Sequence, residues 1–192
     1  MRSFKTLIVA GALALGSAAT LAAAADTYKI DPEHGTVIYR VTHFGVGNAY
    51  GRFNKPTGTV VLDSADPSKT KFEFEVKTEN LDTANDQRDK HLKSPDFFDA
   101  KQFPTISFKS TSVKSDGENK YLVTGDLTLH GVTKSITVPI TKTGESDTGR
   151  MGYRSGWEAT TSLKRSDYGM TGMQGPVGDE VNLVISFEAV KS

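Results

Sequence analysis

Between Lys71 and Lys77 charged and apolar side chains alternate strictly, Lys71, Glu73, Glu75 and Lys77 against Phe72, Phe74 and Val76. A period of two sends one set to a core and the other to water, so the run predicts a half-buried β-strand. The same alternation recurs along the chain. Val37, Tyr39, Val41 and His43 alternate with Ile38, Arg40, Thr42 and Phe44, and Ile136, Val138 and Ile140 with Ser135, Thr137 and Thr141. Trp157, Ala159, Thr161 and Leu163 share a face against Glu158, Thr160 and Ser162, and Val181, Leu183, Ile185 and Phe187 repeat the pattern near the end. Asp116-Gly117 divides a run beginning at Thr105 from one spanning Tyr121–Leu129, as a tight hairpin does, and His130-Gly131 turns the chain again before Lys134. Roughly eight strands with local connections favour an antiparallel barrel or sandwich over any βαβ arrangement.

One segment breaks the rhythm. From Thr78 to Phe103 charged residues crowd around Leu81, Leu92, Phe97 and Phe98. Asn85 or Asp86 can cap a short helix there, with Pro95 ending it, and the segment reads as a lid or plug at one end of the sheet. The loop from Gly144 to Gly152 is the expected mobile tip.

The first residues carry Arg2 and Lys5, then an apolar run from Leu7 to Leu15, then Ala23-Ala24-Ala25 before Asp26. This is the layout of a secretory signal with a small-residue cleavage site. The run is short for a span of roughly 20 residues. Residues 1–25 are therefore expected to be a signal peptide and 26–192 a single exported, periplasmic domain with no stable membrane span after cleavage. Removing the leader takes two basic residues and no acidic one, leaving 21 basic against 23 acidic. Such near-neutrality argues against a nucleic-acid partner. The chain has no cysteine, which excludes disulfides, thiol catalysis and thiolate metal sites. Its four histidines, His34, His43, His91 and His130, show no close metal-ligand pairing, so neither a metal nor another cofactor is expected.

Closing about eight strands leaves an interior just wide enough to fill with side chains or to hold one small ligand. The inward set from alternation is Val37, Tyr39, Val41, Phe72, Phe74, Val76, Ile106, Phe108, Leu127, Leu129, Ile136, Val138, Ile140, Trp157, Leu183 and Ile185. Composition alone leaves a packed core and a cavity equally open.

Four segments in this order, Arg88–Asp99, Phe103–Phe108, Leu127–Lys134 and Arg165–Met170, together with Asp31, His34 and His43, resemble the YceI-like family of exported polyisoprenoid-binding proteins. The resemblance runs from about Tyr28 to Ala189. It implies an all-β, antiparallel, lipocalin-like barrel with a helical lid, and an elongated apolar tunnel rather than a solid core. It further implies a polyisoprenoid, a quinone-type tail or another long-chain lipid such as a fatty acid or fatty amide as partner, carried or sequestered in the interior, and it allows a homodimer.

On that reading the ligand-binding set is Val37, Tyr39, Val41, His43, Phe72, Phe74, Arg88, His91, Phe108, Leu127, Leu129, Val138, Trp157, Ala159, Arg165 and Asp167. Arg88 and His91 share a helical face. They either meet a ligand head group or fasten the lid, with fastening favoured. His43 falls on the apolar face of its strand, where a core role is the more ordinary one. Arg165 and Asp167 keep the parity of Leu163 and can form a buried pair or face a head group. No catalytic residue is expected. A small hydrolase built on Ser94 or Ser166 with His91 is the enzymatic alternative, although no Gly-x-Ser-x-Gly elbow is present. A stress-related interaction module with a solid core is the third reading.

Overall fold

A computed structural model describes residues 25–192. The expected signal peptide lies outside these residues, apart from Ala25. Ten strand segments follow one another: β1 (Asp26–His43), β2 (Gly47–Asn54), β3 (Thr57–Leu62), β4 (Lys71–Lys77), β5 (Leu81–Asp82), β6 (Thr105–Ser115), β7 (Lys120–Leu129), β8 (Val132–Asp147), β9 (Tyr153–Lys164) and β10 (Val177–Lys191), with a single α-helix, α1 (Asp86–Leu92), between β5 and β6. All pairings between these strands are antiparallel, and β10 returns to β1.

The ten segments make eight staves. β1 pairs through Asp26–Lys29 with β3 and through Thr36–His43 with β2, so β2 and β3 are two halves of one bent strand. β4 on β3 and β5 on β2 repeat the arrangement. The result is an eight-stranded antiparallel barrel with α1 outside it. The bend has a local cause: Lys55 takes a left-handed conformation (φ 57°) and Pro56 has no N–H to donate to a ladder. Pro56 fits because its neighbour is Gly35, where a Cβ would lie 2.5 Å from the proline ring. Alternation assigns no strand to Gly47–Leu62, since the bend leaves two short runs in place of one long one.

Two connections differ from expectation. The β6–β7 link takes in residues 116–119 rather than a two-residue turn, with the Asp116 N–H donating to the Lys120 carbonyl. The expected loop at 144–152 is mostly strand: Gly144–Asp147 of β8 pair with Tyr153–Gly156 of β9, leaving only 148–152 as the connection. Backbone pairing there proceeds without any apolar alternation. The His130-Gly131 turn joins β7 to β8 as expected, and both residues have positive φ, 50° and 74°, the requirement of a tight two-residue hairpin.

Strand direction divides the loops between two ends. At one end lie the 63–70, 116–119 and 148–152 connections. At the other lie the β1–β2 hairpin, the 83–104 segment carrying α1, the β7–β8 turn and the 165–176 loop. The first end is plugged by Trp157, Tyr28, Val113 and Val123, all at most 3% exposed. Trp157 packs edge-on to Phe72 (centroids 5.3 Å) and against Tyr121 (5.9 Å), while its indole N–H donates to Ser155 Oγ at 2.9 Å. A buried tryptophan with its N–H satisfied makes a rigid floor.

Candidate functional site: an apolar cavity

Above that floor the barrel encloses a cavity of about 190 Å³. Its wall is built from inward side chains of β1 (Val37, Tyr39, Val41), β4 (Phe72, Phe74, Val76), β6 (Ile106, Phe108), β7 (Leu127, Leu129), β8 (Ile136, Val138, Ile140), β9 (Ala159, Leu163) and β10 (Val181, Leu183, Ile185). Phe53 of β2 and Val60 of β3 complete the wall from the strand that alternation does not assign. At the α1 end Leu92, Phe97 and Phe98 reach in from the 83–104 segment, and Phe98 meets Phe53 edge-on at 5.2 Å.

Few polar side chains touch this space. Glu73 points outward to Lys109 Nζ (2.8 Å). Tyr39 leans over Gly51, where a Cβ would come within 2.3 Å of the phenol oxygen, so glycine is what lets the ring lie flat against β2. Burial pushes the Tyr39 phenol up to about 12, keeping it neutral.

Arg165 is the one charged side chain buried at the α1 end among the described residues, 4% exposed. Its guanidinium donates to four backbone carbonyls, those of Gly178 (2.9 Å), Met170 (2.8 Å), Gly172 (2.7 Å) and Val177 (3.0 Å). Burial lowers its pKa and the nearby Asp179 charge opposes this. Arg165 therefore ties the 170–178 loop to the end of β9.

Of the residues expected to bind ligand, Val37, Tyr39, Val41, Phe72, Phe74, Phe108, Leu127, Leu129, Val138, Ala159 and Arg165 line the cavity. Five do not. Trp157 lies beneath the floor, on the face expected but too deep along the barrel axis. His43 is exposed and meets Phe44 edge-on, because β1 slips register against β10 between Val41 and His43 and the alternation ends there. Asp167 is exposed and pairs with Lys134 (3.4 Å) instead of Arg165, since the chain leaves β9 for a 3₁₀ turn at Arg165–Tyr168 and strand parity stops. Arg88 and His91 lie outside the barrel on α1. Arg88 grips Thr83 through Nε to Oγ1 (2.8 Å) and Nη2 to the carbonyl (2.6 Å), while the Asp89 carboxylate accepts the Thr83 N–H (2.9 Å). His91 meets Asp96 at 3.1 Å. Fastening is the geometry of this cluster.

Neither candidate serine bonds a histidine ring. The Ser94 hydroxyl donates to the His91 carbonyl (2.7 Å) and the Ser166 hydroxyl to Asp179 (2.8 Å). Among the described residues no group of three or more His, Asp or Glu side chains converges as a metal site, and no helix is long and apolar enough to cross a membrane.

A closed antiparallel barrel with a packed floor and a carbon-lined interior defines the lipocalin-like class of β-barrels. Residues 28–189 match the YceI-like domain, and the chain belongs to that family. It is 42% identical over 185 residues to the UPF0312 protein PA0423 of Pseudomonas aeruginosa, covering 94% of this chain and 96% of the relative. Among solved structures, BcnA of Burkholderia cenocepacia is similar with a TM-score of 0.76 at 24% identity, covering 84% of this chain and 99% of that one. The YceI protein of Campylobacter jejuni gives 0.67 at 27% identity, covering 79% and 89%. A polyisoprenoid-binding domain from Saccharophagus degradans shares the fold, with a TM-score of 0.65 at 13% identity, covering 86% and 98%.

Proposed function

We propose that the protein binds and carries, or sequesters, a long-chain apolar lipid inside the barrel, in the periplasm after removal of residues 1–25, and that it acts as a binding protein rather than an enzyme. The observation that carries this reading is the cavity itself: hydrocarbon side chains form nearly its whole wall, and its buried cation is already occupied by backbone carbonyls. Such a space offers an aliphatic chain removal from water, at about 25 cal/mol per Å² of surface, and offers a polar solute nothing. The polyisoprenoid named for the Saccharophagus degradans domain makes polyprenyl and quinone-type tails the first candidates, with fatty acids and fatty amides next.

At about 190 Å³ the cavity is smaller than the roughly 300–1,000 Å³ typical of ligand sites. A long tail is therefore admitted by displacing Leu92, Phe97 and Phe98 at the α1 end, the Trp157 floor staying in place. The test is linkage. A ligand that binds only the folded barrel at a hundredfold excess over Kd adds about 2.7 kcal/mol, and each kcal/mol is about 2–4 °C in a domain of this size. Delipidated protein is expected to gain several degrees in Tm when dispersed polyprenyl lipid is added, and Ala159→Phe, which fills the wall of the cavity, is expected to abolish that gain while costing about 1–3 kcal/mol of apo stability. Unmoved melting of both proteins with polyprenyl, quinone and fatty-acyl lipids contradicts the reading.

A further inference from the structure

Six of the eight large hydrophobic residues exposed among those described lie on the β1–β2 hairpin, on β10 beside it, or in the loop bonded to it: Ile38, Phe44, Val46, Tyr50, Met173 and Val184. Of these six the most exposed stand at the hairpin tip, Phe44 at 60% and Val46 at 90%, with Met173 at 45% across the gap, while Met151 at 61% lies at the opposite end. These side chains are held out by backbone geometry. Phe44 and Met173 both take left-handed conformations (φ 51° and 49°), unusual for bulky residues, and the Phe44 N–H donates to the Pro176 carbonyl at 2.6 Å, joining hairpin to loop. Directly beneath, Val177 pairs with His43, and Val177 and Val41 are cavity wall. The apolar tip thus adjoins the cavity wall at the α1 end.

Along the hairpin itself the charge has one sign, with Asp179 and Glu180 of β10 close behind it. Residues 34–62 contain Arg40, Arg52 and Lys55 and no aspartate or glutamate, and residues 168–178 contain no charge at all. Arg52 is paired with Asp82 and Lys55 with Glu33, while Arg40 makes no ion pair among the described residues and sits beside Tyr50, which is 57% exposed. The opposite end of the barrel presents Asp63, Asp66, Asp116 and Glu118 in its loops together with Lys69 and Arg150, and Asp66 pairs with Lys69 (3.3 Å). Exposed aliphatic and aromatic side chains, a tyrosine and an unpaired arginine are the side-chain set that settles at a lipid–water interface. Arg40, which makes no ion pair among the described residues, is the group that complements an anionic lipid head group.

We propose that the β1–β2 hairpin and the 173–176 loop dock this end of the barrel on an anionic phospholipid bilayer, with Phe44 and Val46 among the acyl chains and Arg40 at the phosphates. The proposal rests on the lipid-carrier reading for its purpose, since a tail passing from a bilayer to the cavity here never crosses open water. The 83–104 segment, with charges of both signs, borders the same rim, its Asp96 carbonyl lying against Gly172.

The chain's lack of cysteine allows a clean test. Val46→Cys and Leu122→Cys are each labelled with an environment-sensitive fluorophore and mixed with vesicles of phosphatidylcholine alone or with phosphatidylglycerol. The expected result is a blue shift for the Val46 label on phosphatidylglycerol vesicles, none for the Leu122 label, and weakening as salt is raised. Unlabelled Phe44→Ser/Val46→Ser is expected to co-sediment with those vesicles at least tenfold less than the parent at unchanged Tm, and Arg40→Glu several-fold less. Absence of a shift at Val46, equal shifts at both positions, or equal sedimentation of parent and both variants overturns the proposal. So does a Val46 shift that follows protein concentration without vesicles, which assigns the tip to a second copy of the chain. Uptake of polyprenyl lipid from detergent micelles, measured in parallel, separates the two readings: uptake without vesicle binding removes only the docking surface, and vesicle binding without uptake removes only the carrier.

Discussion

Asp31 stands where β1 slips its register against β10, between Ile30 and Gly35. The backbone bulges there, and the carboxylate gathers it: Oδ1 accepts the Glu33 N–H (3.0 Å), and Oδ2 accepts from Arg154 Nη1 (2.7 Å) and meets His34 Nδ1 (2.9 Å). Arg154 bonds Glu188 of β10 as well (2.9 Å), so the cluster ties β9 and β10 to the bulge of β1. Hydrogen bonds from Arg154 and then His34 hold the Asp31 carboxyl at about 2, down from 3.8. A carboxylate lowered by folding stabilises the protein fully above its unfolded value and loses that contribution as the pH falls from 3.8 toward 2. Asp31→Asn is therefore expected to cost on the order of 1 kcal/mol at pH 7, allowing for screening of a surface-near cluster. In thermal melts of the two proteins the gap closes between about pH 4 and 2. A gap that persists undiminished at pH 2 contradicts the assignment. Asp31 and His34 stand out in the sequence as part of the family resemblance, whereas Arg154, 123 residues away, carries no local signal.

At the scale of elements, the 83–104 segment is held from outside the barrel and plugs it from within. Asn85 caps α1 by accepting the Arg88 N–H (2.9 Å), a start signal legible in the sequence. The clasp on Thr83 was not legible, because a threonine between a two-residue strand and a helix belongs to neither period. Thr83→Val keeps the side-chain shape and removes the hydroxyl that Arg88 and Asp89 share. The loss is expected to be about 1 kcal/mol, borne by local opening of this segment. Hydrogen exchange should speed up across 83–104 and leave the Trp157 floor protected, and lipid uptake should be faster than in the parent. Exchange that accelerates equally throughout the barrel contradicts a separable plug. The long strands were readable from alternation alone, while β2 and β3 were not, since Lys55-Pro56 breaks one stave into pieces too short to show a period.

The whole molecule is a container closed at one end. Antiparallel pairing follows from strands with local links, which leave barrel and sandwich both open until the family resemblance implies closure, and alternation identifies which side chains face inward. It did not identify how deep each lies, because period two reports direction and carries nothing about position along the barrel axis. Trp157 and Ala159 share a strand and a face, yet one is floor and the other wall. Nor does alternation extend past the strand ends, which is why His43 and Asp167 keep the parity of inward residues and stand outside. The central claim concerns what fills the space between floor and plug. Native mass spectrometry of protein recovered from the exported fraction, followed by solvent extraction, reads it directly: the account predicts a mass exceeding that of residues 26–192 by one long-chain lipid, released on extraction and restored when polyprenyl lipid is returned. A bare polypeptide mass, an extract without lipid and no adduct on adding polyprenyl, quinone or fatty-acyl chains would contradict it.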